Sequence, residues 1–185
     1  MQPPESIVSV RKLLLIGSGG AGKSTLARRI AARTGLPAIH LDALYWKPGW
    51  VETPPEEWRG MVVSLLQRDA WVMDGNYGGT LDLRLDACDS VVFLDWPPIV
   101  CLRRVVRRRM RHRGESRPDM TPGCPERLTI GFLAWIALYR LRRRKAILCR
   151  LATAAREGKQ TFVLDSDAKV DAFVQALPAA TSAPG

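Results

Sequence analysis

An apolar run, Leu13-Leu14-Leu15-Ile16, leads into a glycine-rich turn, and a helix-forming run leaves it through Leu26-Ala27-Arg28-Arg29-Ile30-Ala31. Between them, Gly17 to Ser24 fits G-x-x-x-x-G-K-[ST], the Walker A or P-loop pattern, in the strand-before, helix-after setting that gives the spelling its meaning. The pattern restricts the fold severely. Backbone N–H groups that converge on a polyphosphate leave little room for Cβ atoms, so Gly17, Gly19, Gly20 and Gly22 keep the turn open. The helix beginning near Lys23 adds its positive N-terminal end to the same anion site. The segment Gly17, Ser18, Gly19, Gly20, Ala21, Gly22, Lys23, Ser24 and Thr25 is therefore expected to bind the phosphates of ATP. Lys23 is expected to reach the β- and γ-phosphates, and the Ser24 hydroxyl to bind Mg²⁺.

The rest of the chain alternates strand and helix signals. Val10–Ile16 reads as a first strand buried on both faces, and Lys23–Thr34 as a first helix closed by Gly35 and Pro37. Ala38–Leu41 is a short second strand that delivers Asp42 at its tip. Residues 43–55 are aromatic and turn-rich, with Tyr45, Trp46, Pro48, Gly49 and Trp50. Thr53 is expected to cap the next helix, with Pro54 in its first turn and Glu56 completing a capping box. Trp58, Met61, Val62, Leu65 and Leu66 then recur at helical spacing.

Ala70–Met73 is a third strand, ending in Asp74-Gly75-Asn76-Tyr77-Gly78-Gly79, and Thr80–Ala87 a short helix. Ser90–Leu94 is a fourth strand, followed by Asp95-Trp96-Pro97-Pro98. Ile99–Arg113 reads as a basic helix with Ile99, Leu102, Val106 and Met110 as its apolar seam. Gly114–Pro125 reads as a mobile flap. Residues 126–157 are largely helical, with Phe132, Trp135, Ile136 and Tyr139 on one side. Thr161–Leu164 is a fifth strand, Ser166 caps a last helix, and Pro178–Gly185 is a frayed tail. The alternation predicts an α/β, three-layer P-loop NTPase fold, with a five-stranded parallel sheet ordered 2-3-1-4-5 and a small helical or loop lid. The expected organisation is one domain over 1–185, the lid at about 113–126 being an insertion.

Length and composition agree with one globular core. No apolar run approaches a membrane span, and residues 1–9 lack the charge-then-apolar order of a secretory signal, so the expectation is a cytoplasmic chain without membrane contact. Cys88, Cys101, Cys124 and Cys149 are too dispersed for a zinc site or a disulfide framework. The net charge of +10 is less ordinary. It is concentrated in Arg103, Arg104, Arg107, Arg108, Arg109, Arg111, Arg113 and Arg117, and again in Arg140, Arg142, Arg143, Arg144, Lys145 and Arg150. Such charge calls for polyanions, either nucleotide phosphates in a cleft or nucleic acid on a surface.

Ligands of open parallel sheets bind beyond the carboxyl ends of the strands. Asp42 and Asp74 both fall there. Each is suited to hold Mg²⁺ through water or to take a proton from an acceptor hydroxyl, and each could equally cap a turn. Asp95, before Trp-Pro-Pro, reads as structural. Arg104, Arg108 and Arg111 share one helix face; Arg104 and Arg108 are the expected phosphate ligands, while Arg103, Arg107 and Arg109 suit a solvated face. Arg117, Arg140 and Arg144 are further candidates of the same kind. Tyr45, Trp46 and Trp50 either stack on an acceptor ring or brace a proline-rich loop. Neither His40 nor His112 has an identifiable triad partner.

With these features laid out, the chain resembles the adenylate-kinase-like P-loop kinases, whose R-x-x-x-R helix after strand four is matched by Arg104 and Arg108. IGSGGAGKSTLA, HLDALYWKPGWVETP, WVMDGNYGGTLDLRL and RGESRPDMTPGCPE, spread over nearly the whole chain, resemble the DNA topology modulation proteins of the FlaR type. The resemblance implies an ATP-dependent phosphotransferase closing a lid over its substrates. Two departures from true adenylate kinases stand out. Their G-F-P-R segment is replaced by Gly75-Asn76-Tyr77-Gly78, which lacks the arginine that grips an acceptor phosphate; Arg84 could substitute. The second strand ends in Leu41-Asp42, closer to what small-hydroxyl kinases such as shikimate kinase use, and this counts against AMP as acceptor.

Two functions are therefore expected to compete. In the first, Lys23, Asp42, Asp74, Arg104 and Arg108 transfer the γ-phosphate of Mg·ATP to a nucleotide or small metabolite, in a monomer or dimer. In the second, ATP is a switch on a nucleic-acid-binding regulator that works through the basic patches.

Overall fold

The computed structural model describes residues 7, 10–111, 120–125 and 127–180. Residues 1–6, 8 and 9, His112, Arg113 and Arg117 with the first part of the expected flap, Glu126, and positions 181–185 lie outside the described residues.

The elements run β1 (Lys12–Gly17), α1 (Lys23–Thr34), β2 (Ala38–His40), α2 (Leu41–Tyr45), β3 (Trp46–Lys47), β4 (Val51–Glu52), α3 (Pro55–Leu66) and β5 (Trp71–Asp74). A 3-10 turn (Gly78–Thr80) then precedes α4 (Leu81–Ala87), β6 (Ser90–Leu94), α5 (Pro98–Arg111), α6 (Ile130–Arg156), β7 (Gln160–Leu164) and α7 (Asp167–Ala176). Five strands form one parallel sheet in the order β2-β5-β1-β6-β7, which is the expected 2-3-1-4-5 arrangement. β1 is central, and its apolar run is buried from Leu13 to Ile16, as a strand covered on both faces requires. Alternate residues serve opposite layers. Leu13 and Leu15 pack with Leu26, Ala27 and Ile30 of α1 and Val170 and Phe173 of α7. Leu14 and Ile16 pack with Trp58 and Val62 of α3, Leu85 of α4, and Ile147 and Leu151 of α6.

Local chemistry sets the ends of the elements. Gly35 closes α1 in the left-handed region (φ 75°), its N–H returning to the Ala31 carbonyl. The Thr129 hydroxyl caps α6 by accepting from Phe132 N, and Ser166 caps α7 by accepting from Lys169 N.

Several expectations need correction. The turn-rich stretch after Asp42 is a short helix followed by an antiparallel hairpin, β3 against β4, with Trp46 opposite Glu52. Strands of two residues are too short to show a period. Thr53 does not cap α3; its hydroxyl donates to the Tyr45 carbonyl at 2.5 Å, tying the hairpin to α2, and Pro54 takes the cap position. The apolar seam of α5 is displaced. Ile99, Val106 and Met110 are 61, 43 and 68% exposed, and the buried side is Cys101 and Val105. The chain beyond Pro178 is held at least as far as Ala180, whose N–H donates to the Arg33 carbonyl at 2.8 Å.

Candidate phosphoryl-transfer site

The tight approach of α5 explains why the loop after β1 is spelled with glycine. A Cβ on Gly20 (φ 77°) would overlap the Cys101 carbonyl oxygen and stand 2.7 Å from Val105 Cγ2. A Cβ on Gly19 would meet the Phe132 ring at 2.8 Å. The loop is thus clamped between α5 and the first turn of α6. Asn76 fixes its entry: the Asn76 Oδ1 accepts from Gly17 N at 3.2 Å and from the Tyr139 hydroxyl at 3.4 Å.

Lys23 lies over the loop, donating to the carbonyls of Gly17 (2.9 Å) and Ser18 (3.1 Å). Burial lowers its pKa from the ordinary value; Asp42 and Asp74 raise it, and Arg108 lowers it further. These four charged groups therefore converge on one place. Asp42 accepts from the Tyr77 hydroxyl at 2.7 Å, and buried Asp74 is paired with His40 Nδ1 at 2.8 Å. Burial, and next the charge on Asp42, raise the Tyr77 pKa far above the ordinary phenol value, so this hydroxyl remains the donor.

The arginines separate into distinct places. Arg108 lines the cleft with Lys23, Ser24 and Asp42. Arg104 lines it too, but its guanidinium lies 4.0 Å over the Trp96 ring, donates to Asp167 at 3.1 Å and reaches the Ala21 carbonyl at 3.4 Å. Arg140 and Arg144 hold the buried Asp95 at 3.2 and 2.7 Å, which gives both a structural engagement away from phosphate. Arg84 is fully buried, and its donors go to the carbonyls of Thr80, Gly75, Asn76 and Tyr77. Burial lowers its pKa to about 10, so it stays charged at neutral pH. It shapes the loop after β5 from beneath and does not face a ligand.

The cleft measures about 1070 Å³ and runs from the phosphate loop to the hairpin. Ser24 and Asp42 line it with hard oxygen atoms, and Asp74 supplies another carboxylate nearby; such a set suits a water-bearing Mg²⁺. Among the described residues no cluster of three or more His, Cys, Asp or Glu would hold a metal by protein ligands alone. No helix among them is long and apolar enough to cross a membrane.

The chain is similar to a shikimate kinase from Bacteroides thetaiotaomicron, with a TM-score of 0.57 and 20% identity over 90% of this chain and 96% of that one. It is also similar to a shikimate kinase from Acinetobacter baumannii solved with shikimate, with a TM-score of 0.50 and 19% identity over 90% of each chain. The fold is that of a P-loop kinase. No family model matches the chain, and no curated protein matches it in sequence.

Within that P-loop kinase fold, several residues at the cleft carry no motif. Phe132 and Trp135 read as a packing face of α6, yet both line the cleft beside Gly19. A third ring, Tyr139, follows at helical spacing and is buried, so periodicity alone could not divide packing rings from lining rings. Tyr77 and Asn76 were visible only as the loop that replaces an arginine. Their partners, Asp42 and Gly17, are distant in sequence.

Proposed function

We propose that this chain is an Mg·ATP-dependent phosphotransferase acting on the hydroxyl of a small acceptor. The observation that carries the reading is the convergence of Lys23, Asp42 and Arg108 at one cleft that also receives the phosphate loop, with the buried Asp74 close enough to act on the Lys23 charge. In this reading the N–H groups of residues 17–25 and the Lys23 ammonium hold the donor phosphates. The Ser24 hydroxyl would hold Mg²⁺, with Asp42 and Asp74 acting through water; the ion supplies charge neutralisation on the phosphates. Tyr77 orients Asp42, which receives the acceptor proton. Arg108 stabilises charge on the transferred group. Arg104 braces the loop at Ala21 and offers the face of its guanidinium opposite Trp96 to the donor side. The expected lid at 113–126 excludes water. The chain is read as one domain, and the FlaR-type resemblance as its family.

The test is ADP release from Mg·ATP across nucleosides, nucleoside monophosphates and small alcohols. At least one acceptor should raise turnover well above the bare ATPase rate, and Lys23→Ala should abolish the gain. A panel in which no acceptor stimulates turnover counts against the reading.

One observation favours a second function. Arg103, Arg107 and Arg111 on α5, and Arg142, Arg143 and Lys145 on α6, are exposed on a chain of net charge +10. An ATP-switched nucleic-acid regulator would show duplex binding that responds to Mg·ATP at fixed salt. Salt-sensitive binding that ignores ATP reflects charge alone.

A further inference from the structure

We infer that the acceptor half of the cleft takes an uncharged alcohol carried on a planar aromatic ring, of which a nucleoside is the nearest common form. The inference rests on the kinase reading only for the word acceptor. The ring site itself stands on the wall of the cleft.

That wall is aromatic. Trp46, Trp50, Tyr77, Phe132 and Trp135 all line it. Tyr45 is the contrast: it makes close contacts with Trp46, Trp58 and Tyr77, at centroid distances of 5.0, 5.1 and 4.6 Å, and does not line the cleft. Tyr45 braces the loop, and its neighbours are presented by it. Trp50 is presented under strain. It is the one non-glycine residue at positive φ (65°) among those described, next to Gly49, also left-handed. A backbone outlier of this kind has to be held in place by its surroundings. Here the Trp50 Nε1 donates to the Pro125 carbonyl at 3.1 Å, and the Arg127 guanidinium lies 4.8 Å from the ring. The indole is thereby fixed at the cleft rather than left to rotate. On α6, Phe132 and Trp135 lie nearly parallel, 12° apart at 6.0 Å. Aromatic faces of this sort recognise flat rings by stacking, a contact that a puckered, hydroxyl-covered ring does not match.

The polar groups narrow the class further. Of the two carboxylates that line the cleft, Asp167 is taken by Arg104, whereas Asp42 is oriented by Tyr77 and suits a hydroxyl donor while repelling an anion. Arg84 of α4 is committed to four backbone carbonyls in and just after the loop that follows β5, so it cannot grip an acceptor phosphate or carboxylate. Arg127, which lines the cleft, is drawn onto Trp50. A cleft of about 1070 Å³ exceeds what one drug-sized ligand fills, roughly 300–1,000 Å³, so a ring can sit beside the donor.

Tryptophan fluorescence and calorimetry on the full chain with Mg·ADP, titrated with ribonucleosides, their 5′-monophosphates and a non-aromatic cyclic polyol, test this. A nucleoside should bind, its monophosphate should bind more weakly, and the polyol should not bind. Trp50→Ala should lower nucleoside affinity about 5- to 100-fold, the range expected for one stacked base. Trp50→Phe should restore most of it, and Mg·ADP affinity should stay unchanged in both. Phe132→Leu tests the other wall without touching the hairpin and should weaken nucleoside binding in the same direction. Preference for the monophosphate or the polyol would overturn the inference, as would nucleoside binding indifferent to both walls. A polyol that is phosphorylated leaves the kinase reading intact and removes this one. A nucleoside that binds but is never phosphorylated does the reverse.

Discussion

Burial pulls the Lys23 ammonium below its ordinary pKa of 10.5 while Asp42 and Asp74 push it back. Because the folded value lies below the unfolded one, the unfolded chain binds more protons between the two, and stability rises with pH across that window toward 10.5. In urea denaturation without nucleotide, the wild type should gain on Lys23→Met as pH climbs from neutrality toward 10.5. A gap that stays constant would show that the ammonium is not desolvated. Arg84 gives a second test at the same scale. Arg84→Met takes this donor from the carbonyls of Gly75, Asn76 and Thr80, while the Tyr77 carbonyl keeps Thr80 N–H at 3.1 Å; since each unsatisfied buried group costs about 1–3 kcal/mol, the loss should be at least ~3 kcal/mol by urea denaturation. Tyr77→Phe keeps the ring and removes the hydroxyl that donates to Asp42, so turnover with the best acceptor should fall about tenfold, as expected for losing one neutral-to-charged hydrogen bond of roughly 1.5 kcal/mol. Its Mg·ATP affinity should fall by less than turnover does, because Lys23 and Ser24 stay in place. The places of Lys23, Ser24 and Asp42 at the cleft were legible from single residues because they follow from position relative to strand ends. Arg84 was not. A lone arginine in a short helix reads the same whether it faces solvent or staples a loop.

At the scale of elements, the helix after β6 shows where periodic reading fails. Ile99, Leu102, Val106 and Met110 carry the apolar period of α5, but the helix turns Cys101 and Val105 inward. Large side chains on that side would collide with the phosphate loop, where Gly20 meets Cys101 and Val105 directly. Small residues give a weak hydrophobic signal, so the exposed side looked like the seam. The contact also yields a prediction. Gly20→Ala must push α5 from the loop and strain the backbone at φ 77°; overpacking of this kind costs about 1–3 kcal/mol, and Mg·ATP affinity measured by calorimetry should fall at least tenfold. Full ATP affinity in the variant would show that the loop and α5 are not tightly joined. The inner strands β5, β1 and β6 were readable because continuous burial leaves a continuous apolar run, and the partly exposed edge strands β2 and β7 were placed by the strand–helix alternation around them. The β3–β4 hairpin was not, since Pro48-Gly49-Trp50 carries turn chemistry and its two-residue strands carry none of their own.

Across the whole molecule, the hairpin and residues 121–125 of the expected lid are fastened together. Gly49 N donates to the Gly123 carbonyl at 3.0 Å, Cys124 Sγ lies 3.3 Å from the Lys47 carbonyl, and the Thr121 hydroxyl sits within hydrogen-bond distance of the carbonyls of Ala43 and Trp46. Trp50 stands at the same junction, its Nε1 donating to the Pro125 carbonyl at 3.1 Å across 75 positions of sequence. A ring stacked on that indole would therefore lean on two separate lengths of chain at once. Loosening either of them would be felt at one and the same surface.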